Sequence, residues 1–560
     1  MKIRTVDGHN GSVGMSQNCS TPNVIAARKL WGFGERFERF WVEASNPSVW
    51  RWADERGHGT PEVPLVFVSP NGHYVPTIIT HESDVRLSFR SIQPAAASLL
   101  PSIASAFNRP RRVPISGCCF SSVKGGVCHK EPTNLFVVAS LLASDLEGSA
   151  MEHNEQLTQI KVLLSRLDSG TNVDAGGVRL NPTNSYTDLA RAGRERELFF
   201  GSHPQLLGLS CDLPQPGSFF TADDLATPIL ATRDEDGRFR AFVNACRHRG
   251  VVVEEEERGI KRRFVCPFHS WSYDPKGALV GLPKEEQFGE IDKECFGLVE
   301  LPTEEKYGFL FVHPNPSGSV DVSDLLGEDL AQEFDAWDFG SFSRLGGDRY
   351  EIECNWKLAM DTFGETYHFN SLHRDSLANF FQGNVQCYDT FGQHHRMILC
   401  KKAIHEMREW PEDQWDITVA GLPVYWIFPN NIVMPSEWGL YVVRAYPDVN
   451  DPGKHTSVIS FYVRGDKASA AGTNNGVDER KALLETAPME ALSAIAQGFA
   501  AIIRDEDYVA SASQQRSANS GTLEHVIFGR NEPALHHYHN TYRAALGLDP
   551  LPLLDPASMA

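Results

Sequence analysis

The sequence predicts an α+β protein in which a small antiparallel β domain precedes a larger domain built from one sheet with helices on one side. In the first part, strand-like segments at 228–232 and 239–243 flank Asp-Glu-Asp-Gly at 234–237, a turn typical of a β-hairpin. In the second part, four segments alternate as antiparallel strands do: 350–354, 396–400, 441–446 and 458–463. Helical sequence follows at about 478–515 and 534–546.

Residues 1–150 show no sustained helical or strand period, and their charge differs from that of the rest. They carry 15 basic and 12 acidic side chains, a net +3, whereas the remaining 410 residues hold 37 basic and 60 acidic ones, a net −23. After Met151 an amphipathic pattern predicts a helix through Leu167, and a second helix is expected from Ser185 to Phe200. We therefore predict that residues 1–150 form no functional domain and come from a misassigned upstream start, with native translation beginning at Met151.

Length, charge and cysteine content exclude several classes of protein. At 560 residues the chain is too long to form a single domain around one hydrophobic core. We expect a helical segment at 151–204, the small β domain at 205–315 and the second domain at 316–560. A net charge of −20 argues against nucleic acid as a partner. The sequence has no signal peptide and no apolar run of about 18 residues, which argues against a membrane and predicts a cytoplasmic protein. Eleven cysteines without small-protein spacing argue against a disulfide scaffold.

Two short motifs in the small domain have the spacing of a metal centre. Cys246 and His248 form a C-x-H pair, and Cys266 and His269 form a C-x-x-H pair. Such a set suits a [2Fe–2S] cluster with two thiolates on one iron and two imidazoles on the other. A structural zinc ion accepts the same ligand types, but zinc fingers usually place two Cys first and two His later.

A second candidate centre lies about a hundred residues further on. A helix that opens at Asn355 is predicted to carry Glu365, His368 and His373, and two histidines with one carboxylate can form the facial triad of a non-haem Fe(II) oxygenase. Five residues apart on an ideal helix, the histidines would point about 140° apart. We therefore expect the helix to loosen or end near 370–371, with a π-like distortion. The carboxylate is expected from Asp505-Glu506-Asp507 on a late helix.

Together the two motifs resemble those of the large (alpha, terminal-oxygenase) subunit of Rieske non-haem iron ring-hydroxylating oxygenases, over about residues 155–550. Pro267, Trp271 and the turn at 273–277 complete the second cluster loop of that family, although Ser270 stands where the family usually has Gly. The resemblance implies a small antiparallel-β Rieske [2Fe–2S] domain and a helix-grip (START-like) catalytic domain. It also implies one cluster and one Fe(II) per subunit.

The resemblance assigns ligands to both metal groups. It implies four cluster ligands, namely Cys246, His248, Cys266 and His269. His368 and His373 are similar to the two histidines that bind the mononuclear iron in the family. Aligning the family's distal D-x-x-V/L…Q-R pattern on Gln515-Arg516 makes Asp507 the third ligand. Glu365 stands where the family has a carboxylate that bridges the two metal centres across a subunit boundary.

The implied activity is that of a terminal oxygenase, which brings O₂ and a small-molecule substrate together at the Fe(II). Because the sequence has no flavin or nicotinamide motif, a separate reductase must supply electrons, directly or through a ferredoxin. The resemblance further implies a homotrimer, with or without a small beta subunit, in which the cluster of one subunit faces the iron of its neighbour.

Three interpretations of the function stay open. The first is an oxygenase that hydroxylates or dihydroxylates a small aromatic or hydrophobic compound, as in aromatic hydrocarbon catabolism. The second is a monooxygenase that N-dealkylates a quaternary-ammonium or N-methyl substrate, since the carnitine-type branch has Glu at the position of Glu365 where aromatic dioxygenases usually have Asp. The third is a Rieske electron carrier with a vestigial second site, which would hold about two irons per chain instead of about three.

Overall fold

The structure, a computed structural model, describes residues 151–436, 439–464 and 489–554, together with seven short strands between residues 2 and 77. The chain divides into one unit at 1–127 and another at 128–560. Antiparallel pairs join the strands of the first unit: β1 (Lys2–Arg4) with β2 (Asn10–Ser12), β3 (Lys29–Leu30) with β4 (Arg39–Glu43), β4 with β5 (Trp50–Ala53), and β6 (Leu65–Val68) with β7 (Tyr74–Thr77). Most of residues 1–150 lie outside the described residues, so the expectation that they form no functional domain stays a prediction.

Both helices expected near the start of the second unit are present. α1 (His153–Ser169) packs Ile160 and Leu163 into a hydrophobic core and ends at a left-handed glycine. The second helix is observed as α2 (Leu189–Glu195), which continues into a π-helical stretch at Arg196–Gly201. Between them lies β8 (Arg179–Pro182), which pairs with the late strand β27 (His525–Phe528) and so connects this segment to the C-terminal part of the chain.

A shortened chain that begins at Met151 should fold and hold both metal centres. Every predicted metal ligand lies after Met151, whose side chain is buried in the same hydrophobic core as Ile160 and Leu163. The measurement is the iron content and visible absorption of the shortened chain beside those of the full chain. Loss of both centres in the shortened chain, or abundant native peptides from before Met151, would contradict the prediction.

Three small antiparallel sheets build the β domain. Their strands are β9 (Gln205–Leu209), β10 (Ser218–Ala222), β11 (Ile229–Arg233), β12 (Phe239–Val243), β13 (Arg258–Ile260), β14 (Phe264–Val265), β15 (Ser272–Tyr273), β16 (Leu279–Gly281), β17 (Glu300–Leu301), β18 (Thr303–Lys306) and β19 (Phe309–Val312). The strand orders are β13-β10-β11-β12-β17, β14-β15-β16 and β18-β19-β9. β11 and β12 confirm the predicted hairpin, and in its turn the Asp234 carboxylate accepts hydrogen bonds from the N–H groups of Asp236 and Arg238.

The larger domain is built on one seven-stranded antiparallel sheet of order β20-β26-β25-β24-β23-β22-β21. The strands are β20 (Phe342–Ile352), β21 (Phe381–Phe391), β22 (His394–Lys401), β23 (Gly421–Ile427), β24 (Asn431–Pro435), β25 (Gly439–Pro447) and β26 (His455–Arg464). The helices are α3 (Val322–Leu326), α4 (Glu328–Trp337), α5 (Trp356–Asp361), α6 (Ile404–Met407), α7 (Ile417–Ala420), α8 (Met489–Ile502), α9 (Tyr508–Asn519) and α10 (Pro533–Ala545). All four strands predicted for this domain are present.

Both faces of this sheet are covered, so the prediction of helices on one side was wrong. Trp426 and its neighbours on one face pack with residues of α5, α8 and α10. Val433 and its neighbours on the other face pack with residues of α1, α3 and α4. The physical reason is that β23 and β24 are buried at every position, so both sets of alternating side chains need a cover. No helix among the described residues is long and apolar enough to cross a membrane.

Candidate metal centres

The first centre is formed by two loops that follow β12 and β14 and are built alike. The Cys246 N–H donates to the Val251 carbonyl, and the Cys266 N–H donates to the Trp271 carbonyl, each at 2.8 Å. Four residues after its cysteine, each loop has a residue with positive φ that donates its N–H back to the cysteine carbonyl: Gly250 (φ +75°) and Ser270 (φ +61°). Ser270 therefore occupies a left-handed position that favours glycine.

Replacing Ser270 by glycine should stabilise the second loop by about 1 kcal/mol, because a left-handed conformation costs a residue with a Cβ roughly that much. The measurement is the temperature at which the cluster's visible absorption is lost, which should rise in Ser270→Gly. The matched control is Gly250→Ser, which introduces the same backbone strain into the first loop and should therefore lower that temperature. The added Cβ would cause no clash, because no atom lies within 4 Å of it, so the change reports the strain alone. A glycine at 270 that lowers the temperature would contradict this account.

The donor atoms of these loops separate into two pairs. Cys246 and Cys266 are buried, whereas the Nδ1 atoms of His248 and His269 lie 3.1 Å apart at the surface. Burial, helped by the neighbouring Cys246 thiol, raises the pKa of the Cys266 thiol, so a bound cation is needed to hold it as thiolate. Trp271 stacks on the His248 ring at 5.1 Å between centroids. Two inner sulfurs and two outer nitrogens fit a cluster with one iron at each side.

The second centre brings together His368, His373 and Asp507. Among the described residues, it is the one group in which three His, Cys, Asp or Glu donor atoms lie within 4.8 Å of one another. The Asp507 Oδ1 lies 3.2 Å from His373 Nε2 and 3.5 Å from His368 Nε2. The four donors of the cluster loops do not converge in this way, which disfavours a single zinc ion there.

The two histidines do not lie on one helix, so that prediction was wrong. α5 ends at Asp361, His368 lies in a 3₁₀ turn at Tyr367–Asn370, and His373 lies in the turns that follow. After α5 the chain passes close to α10 at Gly364, where a Cβ would come within 2.6 Å of the Leu535 side chain. The π-like distortion expected near 370–371 is absent there; besides the stretch after α2, a π-helical stretch lies at Ile503–Asp507, immediately before α9.

Each imidazole of the second centre is held at its outer nitrogen by a carboxylate. His368 Nδ1 donates to Glu365, and His373 Nδ1 donates to Glu506 at 2.7 Å. Burial would lower the pKa of His368, but its hydrogen bonds to Asp507 and Glu365 outweigh burial and raise that pKa to about 9. Burial would likewise raise the pKa of Asp507, and the hydrogen bonds from both histidines lower it instead. The carboxylate and the two imidazoles therefore suit a divalent cation, which would replace the protons in the hydrogen bonds between them.

An apolar cavity lies on one side of these three donors. Its walls carry Phe363, Phe369, Leu377, Phe381, Leu399, Leu422, Val424, Met434, Phe499 and Ile503. The polar residues in its wall are the three metal donors, Glu365 and Thr362. Phe369 and Phe381 thus line it, whereas Leu372 lines a second cavity of about 350 Å³ and Phe380 packs against the core. Glu365, His368 and Asp507 line both cavities.

Sequence reasoning missed two features of the site. It treated Glu506 as an alternative ligand, although the side chain binds the outer nitrogen of His373. It also assigned no role to Asp361, whose carboxylate accepts from the Tyr186 hydroxyl at 2.7 Å and pairs with His539 Nε2 at 2.9 Å. Asp361 stands one helical turn before Glu365 in the same motif, and that spacing was the available signal.

The sequence matches two protein families. Residues 203–302 match the Rieske [2Fe-2S] domain, and residues 339–548 match the catalytic domain of the ring hydroxylating alpha subunit. Among curated relatives, the biphenyl 2,3-dioxygenase subunit alpha of Rhodococcus jostii (strain RHA1) is 33% identical over 201 residues, 35% of this chain and 43% of the relative. The benzene 1,2-dioxygenase subunit alpha of Pseudomonas putida is 30% identical over 195 residues, 34% of this chain and 43% of the relative. The chain thus spans less than half the length of these relatives.

Solved structures share the fold at lower identity. A quaternary ammonium Rieske monooxygenase in complex with L-carnitine superposes with a TM-score of 0.52 at 19% identity, covering 67% of this chain and 97% of that one. Naphthalene 1,2-dioxygenase from Rhodococcus sp. bound to indole gives 0.51 at 20% identity, covering 71% and 99%. The predicted α+β fold, a small antiparallel β domain followed by a sheet-and-helix catalytic domain, is confirmed.

Proposed function

We propose that this chain, which carries a Rieske [2Fe–2S] domain and the catalytic domain of a ring-hydroxylating alpha subunit, is a terminal oxygenase for a small, uncharged, hydrophobic substrate, an aromatic ring in the simplest case. The observation that carries the proposal is the apolar cavity directly against the three donors His368, His373 and Asp507. A metal held there would have protein ligands on one side and an apolar cavity on the other.

The residues of both centres have distinct tasks in this proposal. Four side chains would hold the [2Fe–2S] cluster, namely Cys246, His248, Cys266 and His269. His368, His373 and Asp507 would hold Fe(II), which when bound supplies the site for O₂ activation. Phe369 packs edge-on against both imidazoles, with centroids 5.0 Å and 5.2 Å away, and also lines the cavity. It thereby fixes the ring orientations and keeps water from the substrate side.

The cavity favours an uncharged substrate over the alternatives. No Lys or Arg is among its lining residues, so a substrate carboxylate would be buried without a counter-ion. The carboxylate of Glu365 is already engaged by His368, which leaves a quaternary ammonium without a dedicated partner. The alternative of an N-dealkylating monooxygenase keeps some support from Glu365 itself and from the carnitine-bound relative of similar fold. The preformed group of three donors argues against a simple electron carrier.

The exposed surface supports association of copies of this chain. Around the cluster loops, Val265 and Phe268 are each 50% exposed. Around the mononuclear site, Ile527 is 59% exposed and lines the second cavity, and Val509, two residues after Asp507, is 60% exposed. Large apolar side chains exposed at both metal centres suit a contact between the cluster of one subunit and the iron-site face of another. We therefore propose a homotrimer that receives electrons from a separate reductase, directly or through a ferredoxin.

The test is substrate-dependent consumption of NAD(P)H and O₂ by the purified chain with a surrogate reductase and ferredoxin. Biphenyl, benzene and naphthalene represent uncharged rings, anthranilate a carboxylated ring and L-carnitine a quaternary ammonium compound. We expect hydroxylated product from at least one uncharged ring and none from anthranilate or carnitine. Product from carnitine alone would favour the N-dealkylation alternative. A protein with about two irons per chain and no product would favour the electron carrier.

A further inference from the structure

A second carboxylate holds the mononuclear site without belonging to its predicted ligand set. The Oε2 atom of Glu506 accepts hydrogen bonds from His373 Nδ1 at 2.7 Å and from the Ser376 hydroxyl at 2.8 Å. On the other edge of the same imidazole, His373 Nε2 lies 3.2 Å from Asp507 Oδ1. The His373 ring is thus gripped at both nitrogens by the side chains of two consecutive residues.

The two consecutive residues lie in a distorted part of the late helix. On an ideal α-helix, adjacent side chains point about 100° apart, so Glu506 and Asp507 would face different surroundings. Here both belong to the π-helical stretch Ile503–Asp507, which widens the helix between α8 and α9. Asp507 is buried against the histidines, and Glu506 is half-buried beside it.

Ser376 connects Glu506 to the backbone of His373. Its N–H donates to the His373 carbonyl at 3.0 Å, while its hydroxyl donates to Glu506. The carboxylate is therefore held by both the imidazole and the turn that follows it. A hydrogen bond from Nδ1–H to a carboxylate leaves the lone pair of an imidazole at Nε2, the nitrogen that faces Asp507.

We propose that Glu506 is a positioning residue for the mononuclear metal: it selects the His373 tautomer with a free Nε2 lone pair and fixes the ring toward Asp507. This inference rests on the proposed function only in taking the three donors as a metal site. Glu506 lines neither of the two cavities, whereas Glu365 lines both. Glu506 accordingly sets metal affinity, and it has no path to substrate or to a neighbouring subunit through those cavities.

The experiment compares metal retention in variants of the full chain. A chelator is titrated against each purified protein, and the iron retained beyond that of the cluster is measured. We expect Glu506→Ala to lose this iron at a chelator concentration about 10–100-fold lower than wild type does, as outer-shell changes at metal-bound histidines do. Glu506→Gln should retain the iron nearly as well as wild type, since its amide oxygen still accepts a hydrogen bond from His373 Nδ1. Ser376→Ala should lie between wild type and Glu506→Ala.

The matched control is Asp505→Asn, which changes the adjacent carboxylate. Asp505 is exposed and pairs with Arg504, so its loss should leave retention unchanged. Visible absorption of the cluster reports that each variant is folded. Wild-type retention in Glu506→Ala, or equal loss in Asp505→Asn, would overturn the inference. Because the readout needs no substrate or reductase, a wild-type protein that binds this iron but makes no product would count against the proposed function alone.

Discussion

Replacing Asp507 by alanine should remove the mononuclear iron and abolish turnover while the cluster stays bound. Asp507 is 5% exposed and is the one carboxylate that faces the Nε2 atoms of both His368 and His373 in the described site. Without it, two neutral imidazoles remain, and they form a poor cage for a hard, doubly charged ion. The loss should exceed the 10–100-fold change in metal affinity typical of outer-shell residues, because a direct ligand is removed.

The measurement combines iron analysis with visible absorption. Iron should fall from about three to about two per chain, with the cluster spectrum unchanged. Asp505→Ala is the control, since that carboxylate lies two residues away, is exposed and pairs with Arg504. If Asp507→Ala keeps its full iron and turnover while a change at Asp505 or Glu506 removes both, the ligand assignment is wrong.

Replacing Glu365 by glutamine should leave both metals bound yet reduce turnover by about 100-fold, the upper range for carboxylates that support a metal-bound histidine. The Glu365 carboxylate accepts from His368 Nδ1 and from the His368 N–H at 3.1 Å. It also lines both the apolar cavity and the second cavity. We propose that Glu365 also contacts a cluster histidine of a neighbouring subunit, His248 or His269, as the family resemblance implies. The amide oxygen of glutamine can still accept a hydrogen bond from His368 Nδ1. The amide nitrogen only donates, so it cannot accept a second hydrogen bond as the other carboxylate oxygen can.

A single-turnover experiment isolates the step. The cluster is reduced chemically, substrate and O₂ are added, and cluster reoxidation is followed optically. Reoxidation should be slow in Glu365→Gln and close to wild type in the control Glu532→Gln, since Glu532 lines the same cavity but binds the Gly529 N–H. Wild-type reoxidation in Glu365→Gln would show that Glu365 does not link the two centres.

The sequence by itself determined the cluster loops and most of the elements around them. Each cysteine lies two or three residues from its histidine, so short loops suffice to present both donors, and the hairpin that leads to Cys246 is marked by its own turn residues. The alternating strands and the helices α1 and α10 were likewise predictable, because the apolar residues that recur with the period of each element are the ones that face the core.

Tertiary structure decided the rest. α5 ends at Asp361 and Gly364 then packs closely against α10, a contact that no local spacing in the sequence indicates. The cover on both sheet faces, the apolar cavity and the π-helical stretch that aims Glu506 and Asp507 at one imidazole all depend on segments far apart in the chain. Side chains from distant segments converge only when those segments pack together, and local sequence patterns do not indicate which segments pack against one another.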